Sequence, residues 1–258
     1  MKVHLTALPL LLFAAVPAYG QDSDYFRVRV GLGGQVRPDF IGSKDYELAP
    51  LWDVDFSSGT NEFRFEAPDD VFGIPAISSG SFAAGPALNV ASGRKDSDVG
   101  APVGKVSTTF EAGGFMQYDL SKSVRIRADL RKGIGGHNGI VGAVGADYIW
   151  RDGDRYVFSV GPRLLFSNER YQQAYFGVSP AAALATGLPL YRPGGGIHAV
   201  ALASGLSYQF NPRFGMFGFA RYERLVGDAA KSPIVRQFGS RDQFSAGLGL
   251  SYTFILKR

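Results

Sequence analysis

Three histidines and no cysteine bound the chemistry open to this chain of 258 residues. Without cysteine there are no thiolate metal ligands, no disulfides and no acylated lipoprotein anchor. His4 lies in an N-terminal apolar run, His137 in the glycine-rich stretch Gly135-Gly136-His137-Asn138-Gly139, and His198 at the head of an alternating segment. A serine hydrolase needs a histidine within reach of both a serine and an acid, so His137 and His198 are the candidate bases for a lipase-type or protease-type site. Neither stands beside a nucleophile motif, and two dispersed histidines do not make a zinc site.

Paired acids are the other candidates. Asp53 with Asp55, and Glu62 with Glu66, have the residue types for glycoside cleavage, which requires two carboxyl groups flanking one bond. On alternating positions of a strand they are expected to pair with arginines of neighbouring strands instead. Gly31-Leu32-Gly33-Gly34 and Gly194-Gly195-Gly196 do not lead from a strand into a helix with a Lys-Ser/Thr, so neither reads as a phosphate-cradling loop. No catalytic, cofactor-binding or metal site is assigned, and no cofactor is expected.

The elements that would position these groups are strands. Phe244, Ala246, Leu248, Leu250, Tyr252 and Phe254 alternate with Ser245, Gly247, Gly249, Ser251 and Thr253, one face apolar and the other small and polar. This run exceeds the length of about 5–6 residues usual in a soluble sandwich and reaches the roughly 9–11 needed by a tilted membrane strand. Similar segments fall at 25–32, 46–56, 124–130, 140–150, 156–166, 198–210 and 214–222. The polar faces carry full charges: Arg27 and Arg29; Asp53 and Asp55; Glu62, Arg64 and Glu66; Arg125, Arg127, Asp129 and Arg131; Arg221 and Glu223. In a membrane barrel such a face lines the lumen. A composition of 34 glycines and 20 phenylalanines against 3 methionines also suits a sheet.

Turn lengths alternate as outer-membrane barrels require, tight on one side and longer on the other. Tight turns are expected at 57–60, 78–81, 120–123, 151–154 and 211–213. Longer external connections are expected at 35–45, 67–71, 91–104, 133–138, 167–195 and 225–240. With both termini in the periplasm, this implies an all-β antiparallel transmembrane barrel of about 12 strands, with about 10 as the second choice. The strand required near 72–77 is short and contains Pro75, which cannot donate to a ladder. Ser179 as N-cap, Pro180 at the first helical position, Ala181 to Ala185 and a stop at Gly187 predict one short helix in the longest loop.

The first twenty residues read as a secretory signal peptide: Lys2, an apolar run over 5–16, and Ala18-Tyr19-Gly20 before a cleavage site. The run falls short of the roughly 20 apolar residues of a spanning helix, and Pro9 interrupts it. The remainder, 21–258, forms one domain, the outer-membrane barrel. The formal charge of +4 arises from 27 basic and 23 acidic residues without a basic block, which excludes a nucleic-acid partner. Outer-membrane lipid is the expected surrounding.

Five stretches resemble the MipA/OmpV outer-membrane family, named for an MltA-interacting protein. They are Pro38-Asp39-Phe40-Ile41-Gly42-Ser43 with Tyr46 and Pro50; Tyr175-Phe176-Gly177-Val178-Ser179-Pro180; Gly187-Leu188-Pro189 running to Tyr191-Arg192-Pro193-Gly194; Arg221-Tyr222-Glu223-Arg224-Leu225 with Gly227-Asp228-Ala229-Ala230 and Ser232-Pro233-Ile234-Val235; and the closing residues 247–254. The resemblance implies an outer-membrane location. For the best-known member it implies a non-enzymatic scaffold linking a lytic transglycosylase to a bifunctional murein synthase in cell-wall assembly. Other members resemble osmotically responsive or adhesion proteins, so a narrow channel or a surface barrel acting through its external loops stands as the alternative. Barrels of this kind commonly end at an aromatic residue, whereas here Ile255-Leu256-Lys257-Arg258 follow Phe254.

The luminal charges Arg27, Arg29, Arg125, Arg127, Arg221, Asp53, Asp55 and Glu223 frame the question for the structure. Closely paired, they fill the lumen; left solvated, they line a small pore.

Overall fold

The computed structural model describes residues 25–257; the signal peptide and its cleavage after Gly20 lie outside the described residues. Ten strands of 10 to 16 residues form the wall: β1 (Tyr25–Pro38), β2 (Tyr46–Ser58), β5 (Phe82–Ala91), β6 (Thr109–Ser121), β7 (Val124–Gly135), β8 (Ile140–Asp152), β9 (Tyr156–Ser167), β10 (Gly196–Gln209), β11 (Phe214–Leu225) and β12 (Asp242–Lys257). Two short pieces, β3 (Phe72–Gly73) and β4 (Ile77–Ser79), pair with β5 and complete a curled antiparallel sheet of twelve strands. Its order is β2-β1-β12-β11-β10-β9-β8-β7-β6-β5-β3: from β5 to β12 chain neighbours are sheet neighbours, β1 pairs with both β2 and β12, and β2 and β3 stand at the two ends of the order with no ladder between them among the described residues. Ile255, Leu256 and Lys257 continue the β1–β12 ladder, with Tyr25 opposite Lys257 and Arg27 opposite Ile255.

The exposure pattern is that of a membrane protein. Leu32, Phe110 and Leu250 point outward at 65 to 70% exposure, while Arg125 is 1% exposed inside. In water this arrangement would be reversed; with lipid outside it places the apolar face against hydrocarbon and the charges in the lumen. No helix is long and apolar enough to cross a membrane among the described residues. The tight turns fall where expected, and Gly153, at φ 54°, takes the left-handed conformation that a turn of this length requires.

The count of twelve is reached by a different division of the chain near its start. Residues 61–67 belong to no ladder, and the following leg splits around Pro75 into β3 and β4. Glu62, Arg64 and Glu66 are therefore not the polar face of a wall strand. The connection 67–71, expected outside, turns within the lumen. The reason lies in the alternating apolar residues: Phe63 packs over the guanidinium groups of Arg27 and Arg29 at 4.7 and 4.5 Å, and Phe65 over Arg125 at 4.6 Å. The aromatic face that looked lipid-directed instead covers luminal arginines, a contact worth roughly 0.5–2 kcal/mol per pair depending on desolvation.

The external connections fold into a cap. It contains α1 (Asp96–Val99), α2 (Glu169–Phe176), α3 (Pro180–Thr186), α4 (Gly227–Lys231) and α5 (Pro233–Phe238). The predicted α3 forms as expected: Ser179 Oγ accepts from the Ala182 N–H at 3.2 Å and Gly187 closes the helix at φ 74°. The other four were not foreseen. For α2 the signal was present, since Asn168 caps the helix by accepting from Tyr171 N–H at 3.2 Å, and Tyr171 and Tyr175 share its buried face one turn apart.

Candidate functional site

The lumen is filled from the periplasmic side by segment 59–71. It rises along the inside of the wall, turns at 67–70, where the Asp70 N–H donates to the Ala67 carbonyl at 2.9 Å, and returns as β3. Two adjacent carboxylates at this turn anchor it. Asp70 accepts from Arg125 at 2.7 Å and lies 3.6 Å from Arg127; Asp69 accepts from Arg163 at 2.9 Å. Asp147 on β8 joins the two groups, binding Arg125 at 2.5 Å and Arg163 at 2.6 Å. Lower down, Arg27 pairs with Asp154 at 2.9 Å, and Glu62 with Arg151 at 3.0 Å. Above the turn remains a polar cavity of about 90 Å³ bordered by Asp69, Asp129, Arg131 and Arg221.

The charges named from the sequence are thus mostly paired: Arg29 with Asp55, Arg221 with Glu223, Arg131 with both Asp129 and Glu111. Asp53 makes no ion pair among the described residues. Buried pairs like these recover the cost of desolvation only when their remaining donors are satisfied. Arg127 meets part of this demand by donating to the Val71 carbonyl at 2.9 Å and to Gln117 at 3.2 Å, while its Nε has no hydrogen-bond partner and lies 3.6 Å from Asp70. The strands alone did not reveal Asp69, Asp70, Asp147 or Arg163. Asp147 and Arg163 stand at luminal parity as single charges inside apolar runs, and that is the sign by which they are legible.

Neither histidine stands in a Ser–His–acid arrangement among the described residues. His137 Nδ1 accepts from the Gly139 N–H at 3.0 Å, which leaves Nε2 to donate to Glu111 at 3.0 Å. His198 Nδ1 faces Ser167 Oγ at 3.0 Å, and its Nε2 has no hydrogen-bond partner. Tyr171 lies between them, its ring edge-on to His137 at 4.8 Å and tilted against His198 at 5.2 Å. One histidine therefore has an acid without a serine and the other a serine without an acid. Both are buried beneath the cap. Nor do the paired carboxylates flank a common cleft: Asp55 is committed to Arg29, and Glu62 and Glu66 ride on the inward segment. No group of three metal-ligating side chains comes together among the described residues.

At the outer mouth, Val141, Ala199 and Leu225 from the tops of β8, β10 and β11 join Tyr171, Tyr175, Phe176 and Val235 of the cap in one apolar cluster. Arg94 ties the loops together, donating to the Tyr175 carbonyl at 2.5 Å and the Gly104 carbonyl at 3.1 Å, while Tyr175 Oη donates to the Ser92 carbonyl at 3.1 Å. Gln243 at the top of β12 clamps the 39–45 loop, accepting from Gly42 at 3.0 Å and donating to the Ser43 carbonyl at 2.8 Å.

Lipid-facing apolar strands, a charged and occupied lumen, tight turns on one side and a folded cap on the other define an outer-membrane β-barrel. The chain belongs to the MipA family: the family described as MltA-interacting protein MipA matches residues 30–254. It is accordingly a protein of the bacterial outer membrane. A comparison with curated proteins found no match. Among solved structures it is similar to an outer-membrane channel from Pseudomonas putida (TM-score 0.45, 8% identity, covering 94% of this chain and 100% of that one). It is also similar to the NanC porin (TM-score 0.38, 12% identity, 88% and 98% covered) and to the CymD monoaromatic hydrocarbon channel (TM-score 0.38, 10% identity, 92% and 89% covered).

Proposed function

We propose that the mature chain, beginning after Gly20, is a single non-enzymatic barrel that serves as a membrane-embedded scaffold in cell-wall assembly, holding a lytic transglycosylase and a bifunctional murein synthase. The observation that carries this reading is the occupied lumen. Segment 59–71 is bound by Arg125, Arg127 and Arg163 within the lumen, and an apolar cluster occupies the outer mouth. A barrel filled in this way has its surfaces left to work with. The family's description as MltA-interacting supports the choice of partner. Two measurements test it. Purified protein in planar bilayers gives no conductance steps, and immobilised protein retains the two murein enzymes at micromolar concentration. Steady channel activity would overturn the filled lumen, and failure to retain either enzyme would overturn the scaffold.

A second reading, a surface barrel acting through its external loops, is favoured by Leu184 and Leu190, which the cap holds 90% and 63% exposed. Apolar side chains so placed suit a contact with another macromolecule. Replacing both with serine leaves the barrel's core untouched and reduces surface attachment on this reading; unchanged attachment rejects it.

A further inference from the structure

A groove of about 390 Å³ crosses the outward face of β10, β11 and β12 in the half of the barrel nearest the cap. Its floor is a row of small residues in cross-strand register, Ser204 opposite Ala220 and Ala220 opposite Ala246. Its outer wall is the next row on the same face, Leu202 opposite Tyr222 and Tyr222 opposite Phe244. The Tyr222 and Phe244 rings lie 4.9 Å apart, and Phe244 is 56% exposed. Two residues further up, Arg224 pairs with Asp242 at 2.5 Å. Hydrocarbon therefore gives way to the headgroup level directly above the groove, as an aromatic girdle followed by charge marks the interface.

The rim above it is basic. Antiparallel bridging of Ser43 with Gly239, and the Ser240 N–H donating to the Gly42 carbonyl at 2.9 Å, bring the 39–45 loop beside the end of α5 and the start of β12. Lys44, Arg236 and Arg241 are gathered there, all exposed and without an ion pair among the described residues. Among the described residues Asp45 is an acid beside them without an ion pair, and Asp242, which also feels the charge of Arg241, pairs with Arg224. Around α1, by contrast, Lys95 and Lys105 are balanced by Asp96 and Asp98.

We infer that this face binds a phosphorylated, acylated lipid of the outer leaflet, with an acyl chain in the groove and its phosphates on Lys44, Arg236 and Arg241. The groove opens onto hydrocarbon, which excludes a soluble peptide. A free anion would have no use for the apolar slot. A phosphorylated lipid satisfies both parts, since cations at the membrane surface attract anionic headgroups while the acyl chain fills space between side chains. The inference is independent of the scaffold role.

The test uses the full mature protein in detergent and native mass spectrometry, with three probes: a bisphosphorylated lipid A-type glycolipid, the same glycolipid after dephosphorylation, and inorganic phosphate. The phosphorylated glycolipid is expected to be retained at least about tenfold better than its dephosphorylated form. Lys44→Gln/Arg236→Gln/Arg241→Gln abolishes that preference, Lys95→Gln/Lys105→Gln leaves it intact, and Ala220→Leu/Ala246→Leu weakens retention of both glycolipids. Equal retention of the two glycolipids by the parent protein overturns the inference, and that comparison requires no variant to fold. Phosphate alone competing fully with the glycolipid assigns the rim to free anions and overturns it too. Unchanged binding in the groove-filled variant, with its heat-modifiable gel shift intact, removes the acyl slot.

Discussion

Asp69 and Arg163, 94 residues apart in the chain, meet in the middle of the barrel: Arg163 Nη2 donates to Asp69 Oδ1 at 2.9 Å and Nε to Oδ2 at 3.1 Å. The paired fork geometry is the strongest form of carboxylate recognition available to a side chain. Together with Asp70 on Arg125, it holds an inward turn where a regular barrel would have placed a loop outside.

The first prediction concerns that turn. Asp70→Asn leaves Arg127 facing a neutral group and weakens the Arg125 contact, with a loss of about 3 kcal/mol, the range measured when one partner of a buried pair is removed. Asp69→Asn costs less, about 2 kcal/mol, because Arg163 keeps Asp147 at 2.6 Å. Urea unfolding in lipid vesicles measures both. A midpoint unchanged for Asp70→Asn would show that the turn is not anchored there.

The absence of cysteine makes the position of the turn directly testable. A Cβ built on Gly205 would lie 2.5 Å from Pro68 Cγ, so Pro68→Cys/Gly205→Cys places two thiols close enough to join, given that bridged Cβ atoms sit roughly 3.8 Å apart. Mild oxidation is expected to produce a non-reducing gel shift in the folded protein alone. Its absence would place segment 59–71 elsewhere.

The cap should yield locally. Asn168 accepts from Tyr171 N–H and also from Ile140 N–H at 2.9 Å, so Asn168→Ala removes the α2 cap and the tie to β8 together. A loss of about 1–2 kcal/mol follows for the cap. Hydrogen exchange over 169–176 should quicken several-fold, while the β6–β7 ladder keeps its protection; equal quickening in both would mean a global effect.

Acid should loosen the same region from another side. The Gly194 N–H, donating to Asp228 Oδ2 at 2.9 Å, and then Lys231 hold the Asp228 carboxyl below its ordinary value of 3.8. A group lowered on folding stabilises the fold above its unfolded value, and that contribution disappears as pH falls through the folded value. Protection of the Gly194 N–H, the intrinsic exchange rate at the same pH divided by the observed one, is thus steady above about pH 5 and falls below about pH 4, and Asp228→Asn removes the dependence. A flat profile in the parent protein would contradict the contact.

Much of the architecture was readable because it is local. The strands ending at Phe254 and running through Arg125 and Arg127 show their two faces by alternation alone, and the tight turns follow from Gly, Asp, Asn and Ser. The same rule misled at 61–67, where Phe63 and Phe65 alternate with charges as wall residues do, yet stack on arginines inside. Four helices were missed because four to eight residues carry little periodicity, and their burial comes from one another. For the site, the luminal set of arginines was legible while their partners Asp69 and Asp70 looked like loop residues.

The sequence by itself determined which way the residues of the ten long wall strands face and which side of the membrane the turns between them occupy, since a period of two and the length of a connection depend on neighbours in the chain. Only the tertiary structure decided whether the lumen is open. That depends on which charges meet across a curled sheet, through strand number and register, and on whether an inward segment gains more from burying Phe63 and pairing Asp69 and Asp70 than from completing a wall ladder. Such balances are set by contacts 34 to 94 residues apart, and no local pattern encodes them.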